Sequence, residues 1–263
     1  MKLPLYQVDA FTDKLFGGNP AAVCPLEQWP DKQTMQNIAA ENNLSETAFF
    51  VKKEEGFEIR WFTPTIEVDL CGHATLASAH VIFNYLKFKG KVITFQSQSG
   101  ELRVTQSGDL LTLDFPSTKP EPMEIPGQLA EALNAAPGAV YRSRDLLALF
   151  EKEEDIVSMS PNFGLLFDVL TSQDCLGMIV TAPGQQSDFV SRFFAPPAGI
   201  DEDPVTGSAH TTLTPFWAER LDKKSLHAYQ VSQRKGELFC ELAGDRVLIS
   251  GRAVTYLKGE IEI

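Results

Sequence analysis

Three short segments of this chain carry residues that could do chemistry. The first two, Cys71-Gly72-His73-Ala74-Thr75 and Asp203-Pro204-Val205-Thr206-Gly207-Ser208-Ala209-His210, look like versions of one device. Each sets a glycine and small polar residues just before a helix-like apolar run. Glycine lets the backbone approach a ligand closely, and a helix start presents amide hydrogens that the helix itself leaves unpaired. Two such starts facing one pocket would hold an anion, typically a carboxylate. The third segment, Asn43-Leu44-Ser45-Glu46-Thr47-Ala48-Phe49, offers a carboxylate base. If the apolar residues after Glu46 bury it beside a substrate, it can take a proton from carbon and return it elsewhere. The three together suggest an enzyme.

Each of these residues also has a plain structural role open to it. Asp203 followed by Pro204 reads as an N-cap with proline at the first helical position. Gly207 and Ser208 are harder to explain by capping alone and would leave amides free for a ligand. His73 could be a satisfied histidine at a helix start, or a proton donor and substrate contact. Cys71 reads as a small buried hydrophobe or as a thiolate activated by a helix start. A two-thiol racemase needs a second cysteine in the equivalent place, and none lies near Gly207. Gly17-Gly18-Asn19-Pro20 reads as a tight turn, with Asn19 as a candidate pocket residue. It lacks the Gly-Lys-Ser/Thr of a P-loop. No His-Glu-x-x-His spacing appears, so no catalytic metal is expected.

The elements that must position these residues alternate in type. Strands are expected at 5–11, 21–24, 47–51 and 57–62, with a helix from a cap at Asp31 to about Asn42. The segment 73–86 is apolar on most sides, as a helix buried within its domain would be. A meander of strands follows at 91–97, 101–106 and 109–115. Pro116, Pro120, Pro122 and Pro126 mark the best domain boundary. The second half has a short helix near 128–134, strands near 145–150, 177–181 and 189–194, and a second apolar helix from Gly207 to Leu221. Pro215 should kink or disturb that helix. Strands near 238–242 and 247–250 follow. The acidic clusters at 52–55 and 151–155 read as solvated turns, and His80 as a core residue. The domains expected are 1–116 and 117–263, with an allowance for the last strand returning to the first domain.

The chain has 263 residues, 43% of them apolar, and a net charge of −12. A core is expected, and the acidity argues against nucleic acid or an anionic membrane as partner. No signal peptide or spanning segment is evident. Four scattered cysteines, without a Cys-x-x-Cys, fit a reduced cytosolic protein.

Collinear segments over nearly the whole chain resemble the PhzF family, the phenazine-biosynthesis-like isomerases with a diaminopimelate epimerase-like fold. They are Gly18-Asn19-Pro20-Ala21-Ala22-Val23, Leu44-Ser45-Glu46-Thr47-Ala48-Phe49, Leu70-Cys71-Gly72-His73-Ala74-Thr75 and residues 202–210. The resemblance implies an α+β fold of two similar domains, each a rolled, mostly antiparallel sheet around a central helix, with the active site in the cleft between them. It implies cofactor-independent acid–base chemistry on a small amino- or hydroxy-carboxylic acid, and a homodimer. The family's catalytic glutamate falls on Glu46, and its substrate-contacting polar residues on His73, Asp203 and Ser208. Gly72, His73, Gly207 and Ser208 fall where backbone groups hold the substrate carboxylate. Ser232-Gln233-Arg234-Lys235-Gly236 departs from the family's C-terminal Gln-Gly and Arg-x-Gly pattern. Two other functions stay open at this point: a racemase or epimerase using Cys71, and a non-catalytic dimeric binding protein.

Overall fold

A computed structural model describes residues 2–263 and divides them into two compact units. The first comprises residues 2–115 and 249–263, the second Pro116–Leu248. The end of the chain, for which the sequence allows a return to the first domain, lies in the first unit from residue 249 onward.

The first unit opens with β1 (Lys2–Ala10), β2 (Asn19–Leu26), α1 (Lys32–Asn42), β3 (Glu46–Lys52), β4 (Phe57–Phe62) and β5 (Glu67–Val68). It continues through α2 (Gly72–Tyr85), β6 (Val92–Ser97), β7 (Gly100–Ser107) and β8 (Leu110–Pro116). Asp31 caps α1, its carboxylate accepting from the Thr34 amide at 2.9 Å, and Asn43 ends it in the left-handed region. The helix α2 is the apolar segment anticipated, buried from His73 through Ala79 and again at Val81 and Ile82. It packs on β1, β2 and β3, so the sheet wraps a helix that has almost no wet face.

The second unit holds β9 (Glu121–Met123), α3 (Leu129–Leu133), β10 (Ala139–Arg142), β11 (Leu146–Leu149), α4 (Glu153–Val157), α5 (Phe163–Ser172), β12 (Met178–Pro183) and β13 (Phe189–Ala195). Then come β14 (Ile200–Asp203), α6 (Gly207–Leu221), β15 (Ser225–Gln230) and β16 (Gly236–Ala243), while β17 (Arg246–Gly251) starts in the second unit and ends in the first. The last strand, β18 (Ala253–Glu262), runs antiparallel to β1 in the first unit.

The two units repeat one topology. Read outward from β18, the first runs β18-β1-β2-β3-β4-β6-β7 with pairings antiparallel, antiparallel, parallel, antiparallel, parallel, antiparallel. Read from β9, the second runs β9-β10-β11-β12-β13-β15-β16 with the same order of orientations. A short side strand, β5 or β14, precedes the buried helix in each. The duplication is plain in the strand pairing although the literal repeat is confined to a few residues.

Several local expectations need correction. Residues 153–157 form a helix rather than a solvated turn, because Ile156 is wholly buried and the acidic first turn suits the helix N-terminus. The helix α5 and strands β10, β14, β15 and β18 were not anticipated. Pro215 brings the local irregularity expected of it, while α6 continues from Gly207 to Leu221. It removes the amide that would bond the Thr211 carbonyl, and the Thr118 amide takes that place at 3.1 Å. His80 is only half-buried, with Nε2 2.9 Å from the Thr255 hydroxyl. Among the described residues no helix is long and apolar enough to cross a membrane.

Candidate active site

The first unit brings Asn19, Glu46, Cys71 and His73 together. Glu46 is the first residue of β3, and its parallel partner on β2 is Ala21, two residues beyond Asn19. Cys71 is the N-cap of α2 and His73 its second residue. The imidazole lies between them. Its Nε2 is 3.1 Å from Oε2 of Glu46. Its Nδ1 is 3.2 Å from the side-chain nitrogen of Asn19 and 3.5 Å from the sulfur of Cys71. The His73–Glu46 approach is a close ionic contact rather than an in-line hydrogen bond. Oε2 is sealed from solvent, while the Glu46 side chain as a whole is 18% exposed. A carboxylate with one oxygen held and an accessible remainder is arranged as a base with a fixed rear contact.

Burial disfavours charge on His73, while an ionised Cys71 and the Glu46 carboxylate favour it. The net effect holds the imidazole well above its ordinary range. The Cys71 thiol is itself pushed up to about 11, by burial first and by the charge of Glu46 second. The sulfur is therefore neutral near pH 7, and Glu46 supplies the attraction for a proton on His73. A neutral, buried thiol is also a poor nucleophile or carbon base.

Glu46, Cys71 and His73 place ligand atoms within 4.8 Å of one another, a donor set that a metal ion could use. The ring, however, turns Nδ1 toward Cys71 and Nε2 toward Glu46. One nitrogen would have to serve both neighbours for the donors to converge. The ring thus turns one nitrogen to each neighbour instead of closing a coordination sphere with them.

In the second unit, Asp203 ends β14 and is not the helix cap. The N-cap of α6 is Thr206, and Gly207 and Ser208 form the first turn. The Thr206 hydroxyl donates to Oδ2 of Asp203 at 2.5 Å. Gln230 locks this corner from below. Its oxygen accepts from the Thr206 amide at 2.8 Å, and its nitrogen donates to the Asp203 carbonyl at 2.8 Å. Val205 packs against Gly236, where a Cβ would sit 2.3 Å from a valine methyl. The departure at 232–236 therefore keeps the one glycine that this packing needs. His210, one turn into α6, has Nδ1 2.8 Å from the Thr206 carbonyl.

Both buried helices share one more property. No side-chain oxygen caps the start of α2 or α6 among the described residues, neither first turn holds an acidic residue, and in α2 the Cys71 sulfur engages only the Ala74 amide, beyond Gly72 and His73. Their leading amides remain available to an anion. The units differ in the base: β12, which stands where β3 stands in the repeat, begins with Met178 after Gly177. No motif marks Gln230 in the sequence. It occupies the inward parity of β15 after Leu226 and Ala228, and a polar residue on a buried parity was the available signal.

A duplicated rolled sheet around a buried helix, with a carboxylate–imidazole pair at one helix start, is the α+β architecture of the diaminopimelate epimerase-like class. The sequence matches the family of phenazine biosynthesis-like proteins, PhzC-PhzF, over residues 8–259. It is 49% identical over the full length of both chains to a protein of Pseudomonas aeruginosa named an uncharacterized isomerase. A crystal structure of a PhzF-family protein from Enterococcus faecalis superposes with a TM-score of 0.96 at 48% identity, covering all of both chains. A hydroxyproline epimerase of Agrobacterium vitis, at 11% identity and a TM-score of 0.66, covers 99% of this chain and 92% of its own, and shares the fold alone. The chain belongs to the PhzF family.

Proposed function

We propose that this protein is a cofactor-independent isomerase that moves a proton between carbons of a small amino- or hydroxy-carboxylic acid. The carrying observation is the 3.1 Å contact between His73 Nε2 and Glu46 Oε2 at the start of α2. On this reading Oε1 of Glu46 removes a proton from a substrate carbon, and the C–H electron pair enters the conjugated system. The same oxygen then returns the proton to a second carbon. Gly72 and His73 offer backbone amides to the substrate carboxylate or to developing negative charge. Gly207 and Ser208 are assigned the same task from the other helix start, and Asp203 the orientation of an amino or hydroxyl group. The homodimer is carried over from the family resemblance, and a cytosolic location from the four scattered cysteines.

Glu46 has no counterpart on β12, which begins with Met178, and the buried carboxyl beside that strand's start, Asp145, comes from the residue before β11; this supports Glu46 as the base over a matched pair of opposed bases. The neutral state of Cys71 supports Glu46 over the thiol. The test is solvent-deuterium incorporation in D2O, read by NMR across a panel of amino and hydroxy acids that includes a dihydro-hydroxyanthranilate. Wild-type protein should label at least one acid, and Glu46→Gln should lower that rate by roughly 10²–10⁴-fold. Labelling that persists unchanged in Glu46→Gln would remove Glu46 as the base. No labelling of any acid by the wild type would favour a binding protein.

A further inference from the structure

Asn19 is held in place more firmly than a pocket-lining residue requires. It pairs with Ala10 as β2 begins, after a loop with little freedom. Phe11, wholly buried, takes a φ of 62°, in the left-handed region that bulky residues avoid. Gly18 has a φ of 60°, and a Cβ there would lie 2.1 Å from the Ala10 carbonyl oxygen. The Phe16 amide donates to Oδ2 of Asp9 at 2.9 Å across the same loop. This bracing delivers the Asn19 side chain, itself wholly buried, to Nδ1 of His73.

An amide nitrogen has only hydrogens to offer. The sulfur of Cys71, as a thiol, is a second donor toward the same ring atom. In the neutral ring both neighbours therefore meet Nδ1 as a lone pair. The ring proton then lies on Nε2, facing Oε2 of Glu46. Of the two donors the amide is the closer and the stronger. The groups facing the ring are thus Asn19, Cys71 and Glu46, and only Asn19 combines a fixed charge state with a fixed position.

We propose that Asn19 is a positioning residue that keeps the neutral His73 ring protonated on Nε2, so that the N–H side of the ring faces Oε2 of Glu46 at 3.1 Å and leaves Oε1 to react. The inference rests on the reading of Glu46 as the base. It is tested without substrate, so that its failure is distinct from a failure of that reading. Nitrogen-15 NMR of the ligand-free protein, labelled at histidine and titrated with pH, reports both the protonated nitrogen and the His73 midpoint. In wild-type protein the neutral ring should carry its hydrogen on Nε2. Asn19→Leu, which keeps volume but removes the donor, should raise the His73 midpoint by about one pH unit, a tenfold change. Asn19→Asp, nearly isosteric, should raise it further by accepting a hydrogen from Nδ1. A role in packing alone would lower the melting temperature and leave the midpoint where it was. The proposal is overturned by a wild-type neutral ring protonated on Nδ1, or by midpoints unchanged in both variants. If Asn19→Leu does not fold, Asn19→Asp alone decides.

Discussion

The second helix start should be acid-labile, because a buried neutral histidine stands behind it. His210 is wholly buried, stacked obliquely on Phe189 with ring centroids 5.9 Å apart. Its Nδ1–H donates to the Thr206 carbonyl, and among the described residues no hydrogen-bond partner meets its buried Nε2. Protonation would place a charge there without an acceptor, and burial pushes the pKa down to about 4 from the ordinary 6.5. The unfolded chain takes up that proton as the pH falls through 6.5, while the folded chain resists until about pH 4. Stability from this group is complete above 6.5 and is lost between 6.5 and 4. The loss comes to about 2 kcal/mol at pH 5 and about 3 kcal/mol at pH 4. His210→Asn cannot titrate and can still donate to Thr206. Urea unfolding of both proteins at pH 7 and pH 5 isolates the effect, because His80 and His73 contribute equally to each. The wild type should lose about 2 kcal/mol more than the variant over that interval. Parallel losses in the two proteins would refute the argument and would mean that water or local opening solvates the imidazolium.

Two further outcomes follow from packing and from the thiol. Gly236→Ala forces a Cβ to 2.3 Å from Val205, a wholly buried β-branched residue in the turn that sets the Thr206 cap. It should destabilise the protein by roughly 1–3 kcal/mol in urea titration, and a change below about 0.5 kcal/mol would show that the turn yields freely. Cys71, with its thiol raised to about 11, should react with iodoacetamide at pH 8 about 100-fold more slowly than the same cysteine in urea. Labelling of the folded protein at the unfolded rate would reopen the thiol mechanism.

Much of the architecture was legible because each element announces itself locally. Asp31 and the buried Met35, Ile38 and Ala39 mark α1, and the nearly all-apolar 72–85 segment marks a central helix. The chemistry-bearing types, Glu46, His73 and the two glycine-led helix starts, were visible as residues in order along the chain. What stayed hidden depended on partners distant in sequence. Pro215 sits comfortably only because Thr118 reaches the carbonyl it orphans. Gln230 acquires meaning only when β15 lies beneath residues 203–206. Asp203 reads as a cap from its neighbours and proves to be the acceptor for the actual cap, Thr206.

The amino-acid order by itself determined the residue types, the helix and strand periods and the family, since these rest on side-chain chemistry and on spacing along one strand or helix turn. Tertiary structure alone decided which nitrogen of His73 faces Glu46, that Asn19 stands behind the ring, and that the last strand returns to the first. Those facts are distances across 27 to more than 200 residues of chain, set by strand pairing and by exclusion of water, and no local pattern encodes them.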